Sequence, residues 1–246
     1  MLRLYYFPGT CAFAPHVLLE EIGKPFELEM VVPASRPSGS PDLASSAEWR
    51  RLNPKGRVPA LLGVSGSSGG AAALLTEASA ILLYLGRSNP ALGLVPEDAA
   101  GLARCIEWFS YLGTSLHAVA LAQITRSERF IDGAEHYPAV AGKGLANARE
   151  GFAYVESVLA DGRSWALPDG FSIVDPYLAM FFGAGERFFG DMASRHPLWA
   201  ALAAKVRARP AYRRAADRER QALNEAREGR YHATMTVGAT APEHLP

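Results

Sequence analysis

The sequence predicts an α/β layer followed by an all-helical region. Three observations predict it. Strand-like and helix-like apolar runs alternate over residues 1–86. A break containing Asn89-Pro90 and Val95-Pro96 follows. Beyond it, apolar residues recur at helical spacings of three and four. The expected boundaries are 1–86 for the α/β unit, 87–98 for a linker, 99–228 for an all-helical domain and 229–246 for a loosely ordered tail.

Leu2-Arg3-Leu4-Tyr5-Tyr6-Phe7 reads as a strand and Pro8-Gly9-Thr10 as a breaker loop. Cys11 stands just ahead of a helix that begins near Pro15, carries Val17, Leu18, Leu19 and Ile22, and stops at Gly23. Proline suits a first helical turn and glycine an exit. A helix start offers unpaired N–H groups and the positive end of the dipole, so a thiolate there is favoured and its pKa lowered. Phe26, Leu28 and Met30 alternate with Glu27 and Glu29 in the period of a strand. Residues 33–41 are Pro-, Ser-, Gly- and Arg-containing loop, and Asp42 to Leu52 holds a short helix. Asn53-Pro54-Lys55-Gly56-Arg57 is a turn. Val58-Pro59-Ala60-Leu61-Leu62 and Ala73-Leu74-Leu75 form a hairpin across a long Gly/Ser loop at residues 63–70. Pro59, which has no ladder N–H, is a candidate for a cis bond at the strand's mouth. Thr76-Glu77 opens a helix that Gly86 ends. This unit of about 85 residues is large enough for its own core.

In the second region, Leu102, Cys105, Ile106, Phe109, Leu112 and Leu116 form one buried stripe, and Ser110, Thr114 and His117 a polar one. Further helices cover residues 140–159, start near residues 172–176, and run from Pro197 to Arg209. Ser172 and Asp175 have the spacing of a capping box.

Of 246 residues, 49% are hydrophobic and 20% charged, ordinary for a globular chain, and 25 basic residues balance 25 acidic ones. Neutrality supplies no electrostatic case for nucleic acid or an anionic membrane as partner. No apolar run approaches a membrane span, and no basic-then-apolar leader precedes the first strand. Cys11 and Cys105 make no disulfide framework, and the six histidines show no ligand spacing beside them, so no metal site is expected. A reducing, cytoplasmic setting is expected.

Four segments together carry a family likeness. They are Leu4-Tyr5-Tyr6-Phe7-Pro8-Gly9-Thr10-Cys11 with Ala14-Pro15-His16, then Asn53 to Leu61, then Leu75-Thr76-Glu77 with Ala80-Ile81, and Leu116-His117. The chain resembles the cytosolic glutathione transferases, most closely the bacterial beta class. The resemblance implies a thioredoxin-like amino-terminal domain, an all-helical carboxy-terminal domain, a homodimer and glutathione as co-substrate. It places Cys11 facing the glutathione sulfur, Tyr6 as an aromatic near it, and His117 approaching the same sulfur from the helical domain. Arg36 falls where the beta class has a lysine reaching the glycine end. Arg57, Val58 and Pro59 belong to the binding turn, with Val58 offering backbone N–H and C=O to the cysteinyl part. Glu77 meets the γ-glutamyl end. Two serines of the family are replaced by Ala12 and Ala78. Ala78 still offers an N–H at a helix start, but the missing hydroxyl costs one hydrogen bond to a charged group, about 1.5–3 kcal/mol.

Most cysteines outside disulfides are small buried hydrophobes. That describes Cys105, whereas the strand-to-helix position of Cys11 favours function. His16 is read as structural. Phe7, Phe13, Trp108 and Tyr111 are candidates for an apolar co-substrate wall, although aromatics so spaced are more often core. Three functions stay open: attack of the glutathione thiolate on a small electrophilic, partly apolar molecule; monothiol disulfide reduction through Cys11; and a non-catalytic dimeric binding scaffold.

Overall fold

A computed structural model describes residues 1–32, 46–64 and 73–228. The loop read at residues 33–41, the start of the helix read from Asp42, most of the Gly/Ser loop, Arg36 and the tail at 229–246 lie outside the described residues.

The chain divides into two compact units, residues 1–92 together with the segment from Arg209 onward, and residues 93–208. In the first, β1 (Leu2–Tyr6) leads through α1 (Phe13–Ile22) to β2 (Phe26–Met30), and β1 and β2 pair in parallel from Leu2 with Phe26 to Tyr6 with Met30. After α2 (Ala47–Leu52), β3 (Ala60–Val64) and β4 (Ala73–Thr76) form the expected antiparallel hairpin, and β3 also pairs antiparallel with β1. The sheet order is β2-β1-β3-β4. A parallel β1–β2 pair needs a crossover, which α1 supplies. The α1 helix ends as its sequence requires: Gly23 takes φ 69° and returns its N–H to the Leu19 carbonyl. Gly63 marks a register shift between Leu62 and Val64, and a Cβ there would lie 2.6 Å from the Met1 carbonyl oxygen. Tyr5 of β1 packs its ring, tilted, against the fully buried Trp49 of α2, with centroids 5.0 Å apart. The α3 helix (Ala78–Arg87) follows β4 directly.

The second unit is helical. Asp98 caps α4 (Ala99–Tyr111) through Gly101 N–H at 2.8 Å. The chain then winds as a π-helix over Leu112–Leu121, in which Ala122 N–H reaches back five residues to the His117 carbonyl, and continues as α5 (Ala122–Thr125). The remaining helices are α6 (Tyr137–Val158), α7 (Asp175–Phe188), α8 (Met192–Arg195) and α9 (Pro197–Ala208). Phe152, Phe182 and Trp199 pack edge-to-face at its centre. The capping pair forms: Ser172 N–H and Oγ–H both donate to Asp175 Oδ2, at 2.7 and 2.9 Å, and Ala166 N–H donates to Oδ1 at 2.7 Å. Among the described residues, no helix is long and apolar enough to cross a membrane.

Three expectations are corrected. Ile106 is 47% exposed, because the buried face of α4 runs through Cys105, Trp108 and Phe109 into Leu112. Trp108 and Phe7 are buried, as is Phe13, which packs edge-on against Tyr212; these rings are core, not pocket wall. Tyr111 is half-buried, its hydroxyl donating to the Gly151 carbonyl at 3.2 Å. The third concerns the final helix, α10 (Pro210–Arg227), expected within an all-helical domain over 99–228; it groups instead with the first unit. Its buried face is Ala211, Ala215, Glu219, Ala222 and Ala226, so small side chains admit close approach to α1. Charges complete the contact: Arg209 pairs with Glu21, and Arg214 and Arg218 both reach Glu20. A helix attached by alanines and ion pairs carries little apolar signal of the kind that reveals a core-facing helix.

Candidate functional site

The first unit brings its chemistry to the loops at the ends of β1, β3 and β4. Cys11 follows the Pro8-Gly9-Thr10 turn and precedes the first residue of α1 by two positions. The Thr10 hydroxyl donates to the Phe7 carbonyl at 2.7 Å and accepts from Ala12 N–H at 3.3 Å, which sets the turn. No side chain caps α1 at Ala12. Cys11 is 9% exposed, and its Sγ lies 3.8 Å from the Val58 carbonyl oxygen. The Val58–Pro59 peptide is cis, as expected from the proline at the mouth of β3.

The turn ahead of Val58 is held by Asn53, which is buried. Its side-chain N–H donates to the Arg57 carbonyl at 2.7 Å, and its Oδ1 accepts from Lys55 N–H at 3.2 Å. Gly56 takes φ 63° in this turn. The Arg57 side chain is exposed and Pro59 is buried.

Glu77 joins β4 to α3 with φ 73°, the one non-glycine in the left-handed region among the described residues. Such a conformation costs about 1–3 kcal/mol and persists where the surroundings impose it, often at binding sites. Its carboxylate faces outward and meets Lys55 Nζ at 2.7 Å, while Nζ also donates to Thr76 Oγ1 at 2.8 Å. Ala78, the first residue of α3, is buried, and α3 has no side-chain cap.

The structure thus brings Cys11 to Val58 and sets Glu77 at the start of α3. Tyr6 lies in the interior, 2% exposed, its ring 5.8 Å from that of His16. His117 lies in the second unit on the π-helical segment, half-buried, with Phe181 edge-on at 6.0 Å. Ser110 and Thr114 of the same polar stripe are exposed, with the Thr114 hydroxyl donating to the Ser110 carbonyl. Arg36 falls outside the described residues. Cys105 is fully buried, and desolvation pushes its thiol up to about 11.

Three participants escaped the sequence reading. Asn53 had a local signal, since Asn in a turn commonly bonds its own backbone two residues on. Lys55 and Glu219 had none. Lys55 meets Glu77 across 22 positions. Glu219 accepts the Gly9 N–H at 3.0 Å from 210 positions away, holding the turn that carries Cys11.

Residues 10–88 match the family model described as the glutathione S-transferase N-terminal domain. The chain is 33% identical to glutathione S-transferase GstA of Escherichia coli O157:H7 over 178 residues, covering 72% of this chain and 79% of that protein. Among solved structures it is similar to a glutathione transferase homolog from Sulfitobacter with bound glutathione, at 27% identity and TM-score 0.76, covering 89% of this chain and 98% of that one. It is similar also to a bacterial beta class glutathione S-transferase of Sphingomonas chungbukensis, at 28% identity and TM-score 0.67, covering 88% and 98%.

Proposed function

Because this chain belongs to the glutathione S-transferase family, on its beta-like bacterial side, and is an enzyme of that kind with glutathione as co-substrate, we propose that it joins the glutathione thiolate to a small, partly apolar electrophile. The sulfur forms the new carbon–sulfur bond, and the group it displaces leaves with the bonding electron pair. Detoxification in the cytoplasm is the physiological role this chemistry suits, and a homodimer is its assembly.

In this reading the Val58 backbone pairs with the cysteinyl segment, which brings the glutathione sulfur beside Cys11. Glu77 takes the γ-glutamyl ammonium. The Ala78 N–H at the start of α3 takes the neighbouring carboxylate, since a helix N-terminus favours an anion. Arg57 is assigned to the same peptide site, and the resemblance gives Arg36 to its glycine end and Tyr6 to the neighbourhood of the sulfur. His117 keeps the role that the family resemblance gives it. The enzyme's part is to favour the thiolate and fix its direction.

The observation that carries this reading is the 3.8 Å approach of Cys11 Sγ to the Val58 carbonyl, at a cis Val58–Pro59 peptide. That approach supports reading the thiol and the Val58 edge as parts of one site. Disulfide reduction through Cys11 is less well supported, because the named relatives are transferases.

The test is conjugation of reduced glutathione to a dinitrophenyl halide, with Cys11→Ala alongside. Turnover by the wild type that survives in part in Cys11→Ala fits transfer to the electrophile. A protein that reduces mixed disulfides, shows no conjugation, and loses its reductase activity with Cys11→Ala would overturn the reading.

A further inference from the structure

Resting on the glutathione reading above, we infer that Lys55 is a specificity-determining residue: with Glu77 it makes the site select thiol peptides whose head is a zwitterionic α-amino acid.

Glu77 alone would prefer any ligand that carries an ammonium group. It is not alone. Lys55 Nζ stands 2.7 Å from Glu77 Oε1 and 2.8 Å from Thr76 Oγ1. A ligand ammonium arriving at Glu77 therefore meets a second cation a few ångströms away. That repulsion is relieved when the ligand brings its own carboxylate on the neighbouring carbon. The four charges then alternate: Glu77, ligand ammonium, ligand carboxylate, Lys55.

The donor inventory fits. A carboxylate has about four lone-pair sites, so Glu77 can keep Lys55 and still accept a ligand N–H. An ammonium has three donors; two go to Glu77 and Thr76, and the third is left for a ligand oxygen. Position fits too. Thr76 and Glu77 are the two residues directly ahead of α3, so the Lys55 charge lies beside the helix start that receives the carboxylate. Ala78 has no hydroxyl to offer that carboxylate, and Lys55 supplies a charged donor from a different turn. The turn itself is rigid enough for this, with Asn53 holding both Lys55 N–H and the Arg57 carbonyl.

Binding is measured by calorimetry for three thiols: reduced glutathione, its analogue lacking the α-carboxylate (γ-aminobutyryl-cysteinyl-glycine), and its analogue lacking the amine (glutaryl-cysteinyl-glycine). The proteins are wild type, Lys55→Gln and Lys55→Arg. The wild type should bind glutathione about tenfold more tightly than the decarboxy analogue, as one charged hydrogen bond implies. Lys55→Gln should shrink that ratio to about two- or threefold, the residue being the helix start, and Lys55→Arg should keep most of it. Lys55→Gln should not weaken the decarboxy analogue and should, with one cation fewer, bind it as well as or better than the wild type.

An unchanged ratio in Lys55→Gln overturns the inference. So does an equal loss for all three ligands, which would mean that Lys55 merely holds Glu77 in place. A wild type that binds none of the three overturns the glutathione reading itself, a distinct outcome.

Discussion

Glu219 bridges His16 and Gly9: its Oε1 lies 3.1 Å from His16 Nδ1, and its Oε2 accepts the Gly9 N–H at 3.0 Å. His16 is wholly buried and Glu219 5% exposed, while Gly9 stands at an exposed turn. The last described helix thereby holds the turn that presents Cys11. Glu219→Ala would strip the wholly buried His16 ring of its Glu219 partner and take one acceptor from the Gly9 N–H. A buried polar group so stranded costs about 1–3 kcal/mol, whereas water can replace the acceptor at the exposed Gly9, so unfolding in urea should show a loss of about 1–3 kcal/mol. Amide exchange at Gly9 and Thr10 should quicken in the same variant, while amides in the second unit keep their protection.

Glu20 provides a pH handle on the contact between α1 and α10. Burial raises its pKa, but hydrogen bonds from Arg214 and Arg218 outweigh this and hold it below the ordinary 4.5. The folded chain thus binds a proton there less readily than the unfolded chain. The stabilisation is full above the ordinary value and is lost as pH falls through the depressed one. The stability gap between wild type and Glu20→Gln should therefore be constant near neutrality and close as pH falls below the ordinary 4.5, as read by chemical unfolding at a series of pH values.

Asp175 runs the other way. Burial pushes its carboxyl up from 3.8 to about 6, against the three hydrogen bonds it accepts from Ala166 and Ser172. The folded chain binds this proton more tightly than the unfolded chain, so the contribution grows as pH falls from about 6 towards 4. Thermal unfolding should show the melting temperature of the wild type rising relative to Asp175→Asn over that window. Asp175→Ala, which strands the same donors, should cost about 2–4 kcal/mol at neutral pH.

Glu77 separates stability from binding. Its φ of 73° is strained for glutamate and relaxed for glycine. The Lys55 pair lost with it is half-exposed or more on both sides, and such pairs contribute little. Glu77→Gly should melt at or above the wild-type temperature, yet bind glutathione at least about tenfold more weakly, the loss of one charge-assisted bond. A fall in both together would mean that Glu77 mainly supports the fold.

Much of the architecture was legible locally. Alternation gave β2, the cysteine-to-Gly23 stretch gave α1, and Ser172 with Asp175 announced the start of α7. Ile106 was misplaced because a short helix tolerates more than one apolar stripe by spacing alone, and only packing chooses among them. The π-helical turn carrying His117 had no sequence signature, since its apolar spacing reads as ordinary helix.

By itself the sequence determined the succession of strands and helices, the family, and the placing of Cys11, Pro59 and Glu77 at breaks between elements. Those are short-range matters, decided by side-chain period and by turn residues within a few positions. Only the tertiary structure decided that α10 belongs with the first unit, that Lys55 clasps Glu77, and that Glu219 reaches His16 across 203 positions. Charged groups so far apart along the chain pair only where the fold returns them to contact within a few ångströms. Residue type alone does not state that distance, and the strength of the pairing depends on it.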